Sequence, residues 1–250
     1  MLIDTHCHLS YDDYKNLDEI INDMNGYMLA SGCDDKTNKE VLELTKKYDK
    51  VYGTLGIHPE EVDSITQNSF KFIEDNLNNP KIVGIGEIGL DYYWRQDNKE
   101  KQKEVFEYQV KLAEKYNIPI VVHSREAIQD TYDILKKYNV TGSIHCFSSS
   151  LDMAKKFIKL GYKIGVGGTV TFKNSKKIQD IVKELDLKDI FLETDSPYLT
   201  PEPFRGQKNK PSNVYYVACK VAELKNIGVE EVLEIANNNA IKEFTFVDKI

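Results

Sequence analysis

At 250 residues, 41% hydrophobic and 29% charged, the chain is long enough to bury one large core, and a single domain spanning 1–250 is the expectation. A net charge of −7 argues against a surface that is basic all over and binds nucleic acid indiscriminately, while leaving room for a local basic cleft. No stretch approaches the ~20 apolar residues of a membrane span, and Asp4 and His6 arrive where a secretory segment would be apolar, so a cytoplasmic protein with no membrane contact and no obligatory protein partner is expected.

In chain order, strand-like runs cover residues 2–5, Tyr27–Ala30, Val51–Leu55, Ile82–Ile85, Ile118–Val122, Ser143–Ile144, Tyr162–Val166 and Ile190–Leu192. Segments with helical spacing of apolar residues separate them: Asn38–Tyr48, Ser69–Leu77, Lys99–Tyr116, Arg125–Tyr138, Leu151–Leu160 and Ser175–Leu185. A proline- and glycine-marked loop, with Pro201, Pro203, Gly206 and Pro211, follows the eighth run. Two further helical segments, Asn213–Leu224 and Val229–Asn238, end the chain. Alternation of this kind means parallel strands covered by helices, and eight repeats favour an α/β fold closed as a (β/α)8 TIM barrel. No GxGxxG fingerprint or Walker loop supports an open doubly wound sheet. Cys7, Cys33, Cys146 and Cys219 show no CxxC spacing and read as free thiols.

All five histidines follow a short apolar run. In Ile3-Asp4-Thr5-His6-Cys7-His8 the i, i+2 spacing on a strand sends both imidazoles to the same side. The others are His58, His123 and His145, and Glu87 and Asp195 sit at the ends of their own apolar runs. In a (β/α)8 barrel the carboxyl ends of the strands converge on one mouth. His6 and His8 from strand 1, Glu87 from strand 4, His123 from strand 5, His145 from strand 6 and Asp195 from strand 8 therefore share an address. Six ligands with two carboxylates exceed the needs of one tetrahedral ion and suit two divalent ions (Mg2+, Mn2+ or Zn2+) ~3.5–4 Å apart with a bridging carboxylate. Glu87 is the expected bridge, and Asp195 a ligand that also orients the attacking water and takes its proton.

These residues resemble the TatD-like metal-dependent hydrolases. The matching stretches are Asp4-Thr5-His6-Cys7-His8-Leu9, Gly56-Ile57-His58-Pro59, Gly86-Glu87-Ile88-Gly89-Leu90-Asp91-Tyr92, His123-Ser124-Arg125, His145-Cys146-Phe147-Ser148 and Glu193-Thr194-Asp195-Ser196-Pro197-Tyr198-Leu199, followed by Pro201-Glu202-Pro203-Phe204-Arg205-Gly206. The resemblance implies a barrel nuclease or related phosphodiesterase using divalent metals, with the six ligands above. It also implies 3′-5′ exonuclease action on DNA, with single strands or frayed ends preferred because loops around a barrel mouth restrict the entry of a duplex. The alternatives are a D-aminoacyl-tRNA deacylase or a small-molecule ester or amide hydrolase using the same two-metal site. Ser149 departs from the glycine usual in that family after His-Cys-Phe-Ser.

Around the ligands, His58 reads as a group that touches substrate or backs a ligand, and Glu193 as a residue that orients a ligand. Arg125 and Arg205 either clamp phosphate or are a helix-start ion pair and a solvated loop residue, respectively. Tyr92, with Tyr93 and Trp94, either stacks nucleobases or covers the barrel rim.

Overall fold

The computed structural model describes residues 1–246. Its eight strands are β1 (Leu2–Cys7), β2 (Gly26–Ser31), β3 (Val51–Leu55), β4 (Ile82–Asp91), β5 (Ile120–Arg125), β6 (Gly142–Ile144), β7 (Tyr162–Val166) and β8 (Ile190–Leu192). They form one parallel sheet in chain order. The helices are α1 (Leu17–Asp23), α2 (Asp35–Lys47), α3 (Gln67–Asn76), α4 (Lys99–Tyr116), α5 (Ile128–Leu135), α6 (Leu151–Lys159), α7 (Lys176–Glu184), α8 (Val214–Lys225) and α9 (Val229–Phe244). Parallel neighbours joined through helices bury both faces of the sheet, and the result is a nearly closed (β/α)8 barrel.

The barrel closes beyond the end of β8. Cys7 bridges Ser196, where the His8 N–H donates to Ser196 O at 2.7 Å and the Asp195 N–H to His6 O at 3.0 Å. Below that bridge Thr5 Oγ1 donates to Leu192 O at 3.0 Å, and buried Asp4 accepts the Thr194 N–H at 2.9 Å and the Thr194 hydroxyl. The seam is thus tied at the level of three proposed ligands, His6, His8 and Asp195. Ile3, Leu29, Tyr52, Val83, Val121 and Phe191 pack together with Phe244 and Phe246, so an apolar layer from the early part of six strands fills the end of the barrel opposite the mouth.

Several elements differ from the sequence reading, each for a local reason. Helix α2 begins three residues before the expected Asn38, because Asp34 caps it: its carboxylate accepts the Thr37 N–H at 2.7 Å while Thr37 Oγ1 takes the Asp34 N–H at 3.0 Å. Strand β5 runs on to Arg125, so this residue ends a strand and does not start a helix; α5 begins at Ile128. Strand β4 extends to Asp91 instead of Ile85. Its register against β5 steps from Ile85↔Ile120 to Ile88↔Val122, one extra residue in β4, and Glu87 lies in that bulge. Gly89, at φ +147°, permits the close approach that follows, since a Cβ there would meet His123 O at 1.9 Å. Helix α9 passes Asn238, its expected end, and runs to Phe244 because its asparagines are employed: Asn239 Nδ2 donates to Leu187 O at 2.8 Å and Ile190 O at 3.0 Å, while Ala240 and Phe244 are buried. The short helix α1 has only seven residues and no side-chain cap, and no sequence signal marked it.

Candidate metal centre

The six expected ligands meet at the mouth in two groups that share Glu87. In the first, His6 Nε2 lies 3.4 Å and His8 Nε2 3.3 Å from Glu87 Oε2, and the same nitrogens lie 3.4 and 3.5 Å from Asp195 Oδ1. An ion holding ligands at about 2.0–2.1 Å in a tetrahedron separates them by about 3.3 Å. The four nitrogen-to-oxygen edges of such a shell are therefore close to the length it requires. In the second group His145 Nε2 is 2.7 Å and His123 Nδ1 3.0 Å from Glu87 Oε1, with the two nitrogens 3.2 Å apart. His58 Nε2 stands 3.5 Å from the same oxygen. Each carboxylate oxygen of Glu87 thus faces its own set of imidazoles.

The partners behind the rings decide which nitrogens face inward. His8 Nδ1 is 3.3 Å from Ser31 O; a carbonyl only accepts, so Nδ1 carries the proton and Nε2 presents a bare lone pair. His123 Nε2 is 2.9 Å from Asp91 Oδ2, which likewise fixes the proton there and leaves Nδ1 bare. His6 Nδ1 rests 3.0 Å from Ser31 Oγ, itself taking the Thr54 hydroxyl at 2.9 Å. His6 Nε2 is buried with no hydrogen-bond partner among the described residues. A buried nitrogen left unpartnered between two carboxylates fits a divalent cation.

The electrostatics agree with that fit. Burial pushes the Glu87 carboxyl up, but His145, His58 and His6 outweigh it and hold the group well below the usual range. Burial opposes a charge on His6, and Glu87 and Asp195 overcome it, raising its pKa to about 9. The negative charge that holds a proton there is the charge that would hold a metal ion. Burial lowers His145 to about 4 and raises Glu193 to about 8.

Glu193 lies just outside this set. Its Oε1 accepts the Cys146 N–H and stands 3.9 Å from His145 Nδ1, a placement that suits orienting a ligand. His58 Nδ1 accepts the Glu60 N–H at 3.2 Å, which puts the imidazole proton on Nε2. An Nε2–H aimed at the centre is a hydrogen-bond donor and not a ligand. Arg125 is exposed, with its guanidinium carbon 3.9 Å over the Tyr93 ring; Arg205 is likewise exposed and lies 3.8 Å over Phe172. Neither arginine has a carboxylate partner among the described residues, so the helix-start ion pair considered for Arg125 does not form. Tyr92 does not offer the stacking face expected of it: it is 7% exposed, its hydroxyl donates to Asp130 Oδ2 at 2.8 Å, and Lys99 lies over its ring, which leaves Tyr93 and Trp94 as the exposed rings of that cluster. Ser149 keeps φ out of the left-handed region, and no glycine is needed there.

Asp4, Asp91, Thr194 and Ser31 carry no sequence signal of their own, yet Asp4, Ser31 and Asp91 each contact a proposed ligand directly, and Thr194 holds Asp4. Cys33 was also missed; its thiol lies 3.8 Å from both His8 Nδ1 and Glu87 Oε2, and burial pushes it up to about 11.

A family profile described as "TatD related DNase" matches residues 3–245. The chain is 40% identical to the uncharacterized metal-dependent hydrolase YabD of Bacillus subtilis (strain 168), over 98% of this chain and 99% of that protein. It is 34% identical to the uncharacterized metal-dependent hydrolase YcfH of Escherichia coli (strain K12), over 97% and 95%. The crystal structure of YjjV, a TatD homolog from Escherichia coli K12, superposes with a TM-score of 0.91 at 32% identity, covering 98% of each chain.

Proposed function

Because the chain belongs to the TatD-related DNase family of metal-dependent hydrolases, we propose that it hydrolyses phosphodiester bonds from a free DNA end, in the 3′-5′ direction on single-stranded or frayed ends, with two divalent ions held by His6, His8, Glu87, His123, His145 and Asp195. One observation carries the two-ion reading: the two oxygens of Glu87 face separate groups of imidazoles, 3.3–3.4 Å away on one side and 2.7–3.0 Å on the other. Ions bound there supply Lewis acidity, which lowers the pKa of a water and draws charge from the phosphoryl oxygens.

The chain's own residues do the rest. Asp195 Oδ1 sits between His6 and His8, and the carboxylate's second oxygen takes the proton of the attacking water. His58 donates its Nε2–H to a substrate oxygen on the His123 side. Arg125 and Arg205, charged and without acidic partners, hold phosphates next to the scissile one. Their pairing with aromatic rings instead of carboxylates supports a polyanionic substrate over a small neutral ester. The test is a single-stranded oligonucleotide labelled at its 5′ end and followed over time with Mg2+, Mn2+ or Zn2+. A ladder that shortens one nucleotide at a time is the expected result. Closed circular DNA cut as fast as linear DNA would overturn the reading.

A further inference from the structure

The loop that follows β4 is pinned at both ends, yet it leaves its two large aromatics in solvent. Asp91 Oδ1 accepts the N–H groups of Tyr93 and Trp94, each at 2.9 Å. Gln102 takes the Asp91 N–H at 2.8 Å and donates to Asp91 O at 3.0 Å and Arg95 O at 3.1 Å. At the far end Asp63 receives Arg95 at 2.7 Å, Asn98 at 2.9 Å and Lys101 at 3.0 Å. Tyr93 is nevertheless 48% exposed and Trp94 59%. A loop with this many fixed contacts has the means to tuck its rings inward, as it does Tyr92. Rings held out by an ordered backbone are what a planar ligand uses.

The rings and one cation form a corner. Tyr93 and Trp94 meet edge to face, 4.8 Å apart at 83°, and the Arg125 guanidinium covers Tyr93 at 3.9 Å and lies 5.4 Å from Trp94. Arg125 therefore occupies the Tyr93 ring, and Trp94 is the more open surface. The guanidinium is held by stacking, and its N–H groups have no carboxylate among the described residues. A flat apolar face beside an unpaired, fixed cation matches a nucleobase and its phosphate. The same carboxylate that holds the loop also holds the metal centre, since Asp91 Oδ2 is the partner of His123 Nε2 at 2.9 Å.

We propose that Trp94, backed by Tyr93, is a stacking platform for one unpaired base of a DNA strand, that Arg125 binds a phosphate of that nucleotide or its neighbour, and that Asp91 sets the platform's position relative to the His123 side of the centre. This rests on the DNA-hydrolase reading above and names how that substrate is gripped. Base stacking on Trp94 needs an unpaired base, which gives the preference for single strands a physical source.

Trp94 is the only tryptophan in the chain, so its emission reports the platform directly. The full-length protein is titrated with a short phosphorothioate oligothymidylate and with an abasic oligonucleotide of equal length and charge. The thymidylate quenches Trp94 to saturation and the abasic strand does not. By anisotropy of a labelled thymidylate, Trp94→Ala weakens binding at least about fivefold, the lower end of what one base stack contributes, while abasic binding stays unchanged. Arg125→Ala weakens both strands and lowers the salt dependence. Equal quenching by the abasic strand, no quenching at all, or wild-type affinity in Trp94→Ala overturns the platform. The outcomes are separable: wild-type protein that binds and quenches with DNA yet cleaves none overturns the hydrolase reading, whereas cleavage with unaltered binding in Trp94→Ala overturns only the platform.

Discussion

Asp91→Asn tests the centre through a residue that touches no ion. The buried carboxylate serves two masters: Oδ1 accepts the backbone N–H groups of Tyr93 and Trp94, and Oδ2 accepts the His123 Nε2 proton at 2.9 Å. An asparagine must keep its oxygen toward the two N–H groups, because the reverse orientation sets donors against donors. Its Nδ2 then faces His123 Nε2 and can only donate, which moves the imidazole proton to Nδ1. Nδ1 is the atom 3.0 Å from Glu87 Oε1 and 3.2 Å from His145 Nε2, so the ligand lone pair is lost without any change of shape. Restoring it opposes two N–H groups in a buried site and costs about 1–3 kcal/mol, or about 5- to 150-fold in affinity. That range brackets the about 10–100-fold usual for removing a ligand's backing carboxylate. Isothermal titration should show the first equivalent of metal binding almost as in the wild type and the second weakened by this factor, with turnover falling in parallel and the circular dichroism spectrum unchanged. Two equivalents bound with wild-type affinity would refute the tautomer argument.

Three further outcomes follow from the same geometry. Glu87→Gln should cut turnover by more than the about 10–100-fold that a backing residue costs, since both of its oxygens face imidazoles, whereas Glu193→Gln should lose less than about tenfold, because burial already keeps Glu193 protonated near neutral pH and an amide oxygen can still accept the Cys146 N–H; steady-state kinetics that rank the two equally would move the bridge elsewhere. Saturating metal should raise the melting temperature and chelator should reverse it. At a hundred times Kd one ion adds about 2.7 kcal/mol, worth about 5–10 °C in a chain of this size, and a calorimetric trace that ignores chelator would exclude resident ions. Asp195→Asn keeps an oxygen between His6 and His8 but loses the proton acceptor, so kcat should fall by about 10²–10⁴ while elemental analysis shows metal retained; turnover at the wild-type rate removes Asp195 from proton transfer.

The barrel was legible because its signals are periodic. Eight apolar runs alternating with amphipathic ones leave few topologies, and β3, β7 and β8 fall where the runs do. The convergence of the proposed ligands was legible for a related reason: scarce histidines at the ends of apolar runs have one place to go in a barrel. What failed was tied to hydrogen bonds that carry no period. The extension of β4 depends on a bulge at Glu87 and on Gly89 against His123 O, and the run Asn237-Asn238-Asn239 looks like a helix end until Asn239 is seen holding Leu187 and Ile190. Tyr92 could not be told from Tyr93 by sequence, since neighbours in one loop differ only in which of them meets Asp130.

The residues that position the ligands were the hardest to read, and the reason is physical. Ser31, Asp91 and Thr194 make no pattern of their own; each acts by offering one oxygen or hydroxyl to a group fixed by a different strand. The effect of Ser31 and Asp91 is on which nitrogen of a ring is bare, a property of a proton and not of a residue type. His6, His8 and His123 are the same amino acid, yet two present Nε2 to the centre and one presents Nδ1. For His8 and His123 the choice is made by what accepts the proton of the ring's other nitrogen, Ser31 O in one case and Asp91 Oδ2 in the other. Sequence therefore discloses the donors of a metal centre, while the state in which they donate is decided by their backing, and Asp91 carries that decision out to Tyr93 and Trp94, where the substrate would be gripped.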